Sequence, residues 1–226
     1  MKRLKRLFCI VLVAAAAVFL WQRMGGKEDK LLAVPALSQY PQLPTGCEAT
    51  AATMVLQYYG SSITPEEFAS SWLECDGGFY TDQGVTYGPD PSVVFAGDPF
   101  SSYSYGCFAE PIAQAVNNNS TEYKAKTIYG KSLSSLCNRY IDQGQPLLIW
   151  ATMKMREPQV GNSWYLSDGT YFTWTAGEHC LVLVGYDENN YLLNDPQTGS
   201  VVAYPKEVVQ ARFDSLGSQA VCISFR

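Results

Sequence analysis

Cys47 stands in the stretch LPTGCEATAATMVLQYYG, Leu43 to Gly60, just behind a proline and a glycine. Thr45 followed three residues later by Glu48 is the capping-box pattern, which starts a helix at Gly46. Cys47, Ala51, Met54, Val55 and Tyr58 then form an apolar stripe at helical spacing, and Gly60 is a left-handed stop. A cysteine in that first turn lies among backbone N–H groups without intrahelical partners, at the positive end of the helix dipole. A thiolate is stabilised there and its pKa falls, although the charge of Glu48 opposes ionisation. Two readings follow: a nucleophile, or a small hydrophobe filling a core.

A nucleophilic thiol needs a general base, and the chain holds one histidine, His179, in GEHCLVLVGYD. Its type alone has an unperturbed side-chain pKa near neutrality. The sequence from Glu178 reads as a strand to Tyr186, a polar turn Asp187-Glu188-Asn189 and a second strand to Asp195. A three-residue loop with Asn189 in the left-handed conformation sets Asp195 opposite Leu181, with His179 its diagonal neighbour on the same face. A two-residue loop would put them on opposite faces. Asp195 before Pro196 also fits a plain turn residue. A metal set of His179, Cys180 and Asp195 is disfavoured because adjacent strand residues point to opposite faces.

The elements that must position these groups read as helices first and strands later. Thr64-Pro65-Glu66-Glu67 repeats the capping logic and opens a helix to about Leu73. From Asp76 to Tyr105 the Gly, Pro, Ser, Asp and Tyr residues show no period and predict a long loop. Its aromatics argue for order and for a wall of a binding cleft, with a packed surface loop as the alternative. Helices follow around Glu110–Val116 and Ser132–Asp142. Strands are expected at Pro146–Met155, Trp164–Thr175, Glu178–Tyr186, Tyr191–Asn194 and Val201–Tyr204, then a short helix from Pro205 and a strand Ala220–Phe225. Helices gathered before an antiparallel sheet mean α+β.

The N-terminus, MKRLKR, precedes an uncharged apolar run of fifteen residues, Leu7 to Trp21. That is an export signal or a membrane anchor, so residues 1–30 are assigned to targeting and linker and 31–226 to one domain. The expected location is the cell membrane or the exterior, with the domain beyond the membrane. Cys9 lies inside the run and is set aside from the chemistry. After Lys30 there are nine Lys and Arg against nineteen Asp and Glu, which excludes nucleic acid as the partner to expect. The six later cysteines contain no CxxC pair, and an oxidising compartment would permit a Cys75 to Cys107 bridge.

Gly46-Cys47-Glu48 opening a helix, His179 before a strand ending Val184-Gly185-Tyr186-Asp187, and Asn194-Asp195-Pro196 on the next strand resemble the papain-like cysteine peptidases of the bacteriocin-processing type. The closer resemblance is to their stand-alone exported branch, the C39-like proteins of Gram-positive bacteria, across residues 33 to 226. It implies a papain-like fold with Cys47 as nucleophile, His179 as base and acid, and Asp195 as its orienting partner. It also implies a glutamine that completes an oxyanion hole with the Cys47 N–H. Gln39 and Gln42 both qualify, and Gln39 is preferred because it has more chain in which to turn back. No cofactor or metal is implied. The substrate is a peptide or other amide, at the cell wall in one form of the reading, cleaved through a thioester. Glu48 replaces the glycine that follows the nucleophile in the bacteriocin-processing enzymes, and no transporter domain is attached, so cleavage after a double glycine is not inherited. The alternative is a peptide- or wall-binding module that keeps the fold without turnover.

Overall fold

The computed structural model describes residues 29–226. The apolar run, Cys9 and the targeting assignment therefore lie outside the described residues. Among the described residues no helix is long and apolar enough to cross a membrane. In chain order the strands are β1 (Lys30–Leu31), β2 (Cys75–Asp76), β3 (Tyr80–Asp82), β4 (Val85–Tyr87), β5 (Phe95–Ala96), β6 (Tyr123–Tyr129), β7 (Leu147–Thr152), β8 (Gln159–Tyr165), β9 (Tyr171–Ala176), β10 (Glu178–Tyr186), β11 (Asn190–Asp195), β12 (Ser200–Pro205) and β13 (Gln219–Phe225). The α-helices are α1 (Cys47–Tyr58), α2 (Pro65–Glu67, continued by a π-helical turn, Phe68–Trp72), α3 (Ala109–Asn119), α4 (Leu133–Arg139) and α5 (Lys206–Ser215).

The main sheet is antiparallel in the order β12-β11-β10-β7-β13-β6. Its central strands β7 and β10 are buried at every position, because helices cover one face and α5 packs against β7. This explains why they read as continuous apolar runs without alternation. β7 pairs with β10 only as far as Leu183. Beyond that point β1 takes over the same edge, with Leu31 opposite Gly185. A Cβ on Gly185 would stand 2.0 Å from the Lys30 carbonyl oxygen, so the close approach requires glycine.

α1 crosses the sheet against β10 and β7, and its first ten residues are all buried. A helix buried on every side must satisfy its polar side chains internally. The Thr50 and Thr53 hydroxyls do so by donating to the Gly46 and Ala49 carbonyl oxygens, at 2.9 Å each. The expected capping box is not formed here. Gly46 caps the helix without a side-chain bond, the Thr45 hydroxyl donates to the Ser101 carbonyl at 2.9 Å, and Glu48 turns inward. At α2 the same pattern does form, with Thr64 and Glu67 bonded reciprocally.

The region expected as a long loop contains four short strands, β2 to β5. β3 and β4 form a hairpin, β4 pairs in parallel with β8, and β8 pairs with β9, so the small sheet runs β3-β4-β8-β9. Strands of two or three residues carry no readable period, and half of this sheet comes from far along the chain. The single strand expected at Trp164–Thr175 is accordingly a hairpin, β8 and β9. Strand β6 was also missed by the pattern. A second, aromatic core fills the inner face of the small sheet, where Trp164 and Trp174 pack with Phe79, Tyr105, Phe108 and Phe172. Trp164 satisfies its buried indole N–H on the Pro89 carbonyl at 2.9 Å.

Candidate active site

Cys47 is the first residue of α1, and its sulfur accepts from the Cys180 backbone N–H at 3.4 Å. The start of the central helix and the start of β10 therefore meet at this atom. His179, the residue before Cys180, is buried, and its Nε2 lies 2.7 Å from Asp195 Oδ1 on the neighbouring strand β11. The same carboxylate oxygen accepts from the Gln197 N–H at 2.8 Å. Asp195 consequently sits below its ordinary pKa: burial acts to raise it, and the hydrogen bonds from His179 and Gln197 outweigh that effect. Cys47, His179 and Gln197 line one open cavity of about 460 Å³, with Gln39, Asn162 and Trp174 around them.

The register that joins His179 to Asp195 arises differently from the sequence reading. Asp187 N–H bonds to the Asn190 carbonyl, so the loop holds two residues, Glu188 and Asn189, and Asn189 is not left-handed. Tyr186 pairs with Tyr191 and Gly185 with Leu192, but Leu183 pairs with Leu193 and Val182 with Asn194. Val184 is the extra residue of a β-bulge. The bulge shifts the register by one, and Asp195 comes to lie beside Leu181 as a three-residue loop would have placed it. Without it His179 and Asp195 would face opposite sides of the sheet.

Gln39 is buried and lines the cavity, whereas Gln42 is exposed and does not. The Gln39 amide nitrogen donates to the Leu43 and Pro44 carbonyls at 3.1 and 2.9 Å, tying down the turn that enters α1. Its carbonyl oxygen has no partner. Both amide hydrogens are thus committed, and one must be released before Gln39 can donate to a substrate oxygen. The Tyr40–Pro41 bond just after it is cis. The six cysteines of the domain are free, so the Cys75 to Cys107 bridge is not formed.

The sequence did not signal a second acidic group. Glu48 and Glu178 are both buried beside the Cys47 thiol, one following Cys47 and the other preceding His179. Glu48 Oε2 is 3.2 Å from the thiol, and Oε1 accepts from the Cys107 N–H at 2.7 Å. Gly106 leaves room for this carboxyl, since a Cβ there would meet Glu48 Oε1 at 2.4 Å. Burial pushes the Glu48 carboxyl up to about 7, and burial with the neighbouring Glu48 charge raises Glu178 well above the usual carboxylate value. One donor atom from each of Cys47, Glu48 and Glu178 lies within 4.8 Å of the others, a geometry able to share protons or receive a divalent cation.

These surroundings overturn the expected fall in the thiol pKa. Cys47 is raised well above the ordinary thiol value, first by burial, then by the charges of Glu48, Glu178 and Cys180. The Cys180 N–H acts in the other direction and is outweighed. The helix dipole supplies a fraction of a charge, and burial together with the neighbouring acidic groups outweighs it.

The fold and its site can be set beside known proteins. A crystal structure of a C39-like peptidase candidate from Bacillus anthracis superposes with a TM-score of 0.77 at 28% identity, covering 88% of this chain and 99% of that one. The peptidase domain of Streptococcus ComA, a bifunctional ABC transporter of a quorum-sensing pathway, shares the fold with a TM-score of 0.50 at 16% identity, over 87% of this chain and 98% of that one. YvpB of Bacillus subtilis strain 168, a protein of uncharacterised function, is 27% identical over 187 residues, which span 81% of this chain and 70% of YvpB. A mixed helix and antiparallel-sheet fold shared with these two solved structures, together with a sequence match over residues 31–221, places the chain in the Peptidase_C39 like family.

Proposed function

We propose that this protein is a cysteine peptidase or amidase, exported or held at the membrane by its N-terminal segment, and acting on a peptide or amide outside the cell. The observation that carries the reading is the buried 2.7 Å His179–Asp195 pair in the same cavity as a helix-terminal cysteine. With Nε2 committed to Asp195, Nδ1 is the imidazole nitrogen left to take a proton from the thiol. The raised thiol pKa favours general-base attack over a resting thiolate–imidazolium pair. In that step the thiol proton moves to His179 as sulfur bonds to the carbonyl carbon. The developing oxyanion lies near the first-turn N–H groups of α1, which lack intrahelical partners, and near Gln39 once it gives up a carbonyl of its turn. Collapse breaks the C–N bond, His179 returns the proton to the leaving amine, and water then hydrolyses the thioester.

The elevated thiol favours a second reading, a peptide- or wall-binding module without turnover. A turnover assay with a mixed peptide library separates the two. Cys47→Ala and His179→Ala should each abolish cleavage with the fold intact by circular dichroism, and their losses should not add, because the members act as a unit. Asp195→Asn should retain more activity than Asp195→Ala, since the amide oxygen still accepts from the imidazole. Full activity in His179→Ala would end the peptidase reading, and no cleavage by the unaltered protein would favour the binding module.

A further inference from the structure

The register of the small sheet places one tyrosine on each of its four strands at the same level. Tyr80 is opposite Tyr87, Tyr87 opposite Tyr165, and Tyr165 opposite Tyr171. Neighbouring ring centroids are 5.0, 6.0 and 5.0 Å apart, so the phenols form a continuous ladder across the sheet. Strand alternation sends Phe79, Trp164 and Phe172 to the aromatic core on the other face, which leaves the ladder on the outside. Tyr80 and Tyr171 at its ends are 60% and 61% exposed. Single exposed aromatics are ordinary, whereas a row of four aligned by register presents a continuous aromatic surface.

Beside the ladder lies a cavity of about 420 Å³, lined by Tyr80, Tyr87 and Tyr165 together with Asp76, Asp90 and Asp168. Its lining contains no lysine, arginine or histidine. Aromatic faces and carboxylates together attract a cation, the first through the ring quadrupole and the second by charge. Asp168 is held below its usual pKa by hydrogen bonds from Thr170, so its charge persists at mildly acidic pH. The cavity is also tied to the active site by one strand. β8 lines the catalytic cavity through Gly161 and Asn162 and reaches the ladder at Tyr165. Three residues of extended chain cover about 10 Å, the distance a bound peptide following the strand would span.

We propose that the tyrosine ladder and its acidic cavity form an exosite for a lysine or arginine side chain of an extended peptide substrate, a few residues from the bond cleaved at Cys47. The inference rests on the peptidase reading for its substrate but not for its binding, so it is tested in the Cys47→Ser protein, where turnover is removed. The probe is a synthetic Lys-Gly-Ser repeat peptide, titrated by calorimetry against its lysine-acetylated form. The Lys peptide should bind at least about tenfold more tightly than the acetylated one. Tyr80→Leu with Tyr165→Leu should weaken binding about tenfold, and Asp168→Asn should weaken it also. Tyr80→Phe with Tyr165→Phe, which keeps the ring faces, should retain it, and this pair keeps the test sound if the leucine variant fails to fold. Glu207→Gln, an exposed acid on α5, should change nothing. Equal binding of the acetylated peptide, equal binding by the folded leucine variant, or an equal loss in Glu207→Gln would overturn the proposal. Preference for a neutral glycan oligomer over the Lys peptide would overturn it in favour of a sugar platform.

Discussion

At the scale of single residues, the feature that distinguishes this site is the pair of carboxyls around its thiol. Glu48 is pushed up to about 7 because folding buries it, while its unfolded value is near 4.5. An acid with a raised folded pKa binds more protons in the native state, so stability falls as pH rises from about 4.5 to about 7 and is then constant. Glu48→Gln keeps an oxygen for the Cys107 N–H and removes the titration. Its melting temperature should therefore exceed that of the unaltered protein at mildly alkaline pH, with the gain vanishing at acidic pH. The same variant should alkylate faster at Cys47 at mildly alkaline pH, where Glu48 is otherwise charged and holds the thiol protonated, and should match the unaltered protein in acid. A pH-independent difference in either measurement would show that Glu48 acts through packing alone.

The elements impose a second constraint, because the alignment of His179 with Asp195 depends on how the β10–β11 hairpin is held. Its bulge at Val184 lies next to Gly185, the residue on which β1 rests. Any side chain at 185 displaces β1, since the obstructing atom is a backbone carbonyl. Gly185→Ala should cost about 1–3 kcal/mol, the range for overpacking a filled site. Limited proteolysis should then cut before Leu32, where the unaltered protein is protected by the β1 pairing. Unchanged melting and protection would mean that β1 can shift without loss. The bulge also explains why turn chemistry was a poor guide here. The polar run Asp187-Glu188-Asn189 fits two loop lengths, and the one adopted gives the wrong register until Val184 corrects it.

For the whole molecule, the charge distribution separates a basic, apolar start from an acidic domain. Proposed export predicts that protease added to intact cells expressing the full chain should degrade the domain, or that it should be found in the medium. Recovery of the full-length protein from the cytosol, protected until lysis, would contradict export. An acidic domain facing the exterior also fits the cationic peptide inferred for the ladder.

The local and compositional properties of this protein are readable from its residue order. A lone histidine, a cysteine at a helix start and an aspartate ending a strand were legible because each depends on neighbours a few residues away. The α+β order was legible for the same reason, since helical spacing and the apolar runs of β7 and β10 are local patterns. The raised pKa of Cys47 is a tertiary property beyond the opposition of its neighbour Glu48, because burial, the largest cause, and the charge of Glu178, more than a hundred residues distant, act only in the folded chain. Tertiary structure also decided the small sheet and its tyrosine ladder, where Tyr87 pairs with Tyr165 across a gap no periodicity spans. The bulge that brings Asp195 to His179 belongs to the same class, whereas the preference for Gln39 over Gln42 was already legible in the chain length ahead of Cys47. Each such tertiary feature depends on packing between segments far apart in the sequence, which exists only in the folded chain.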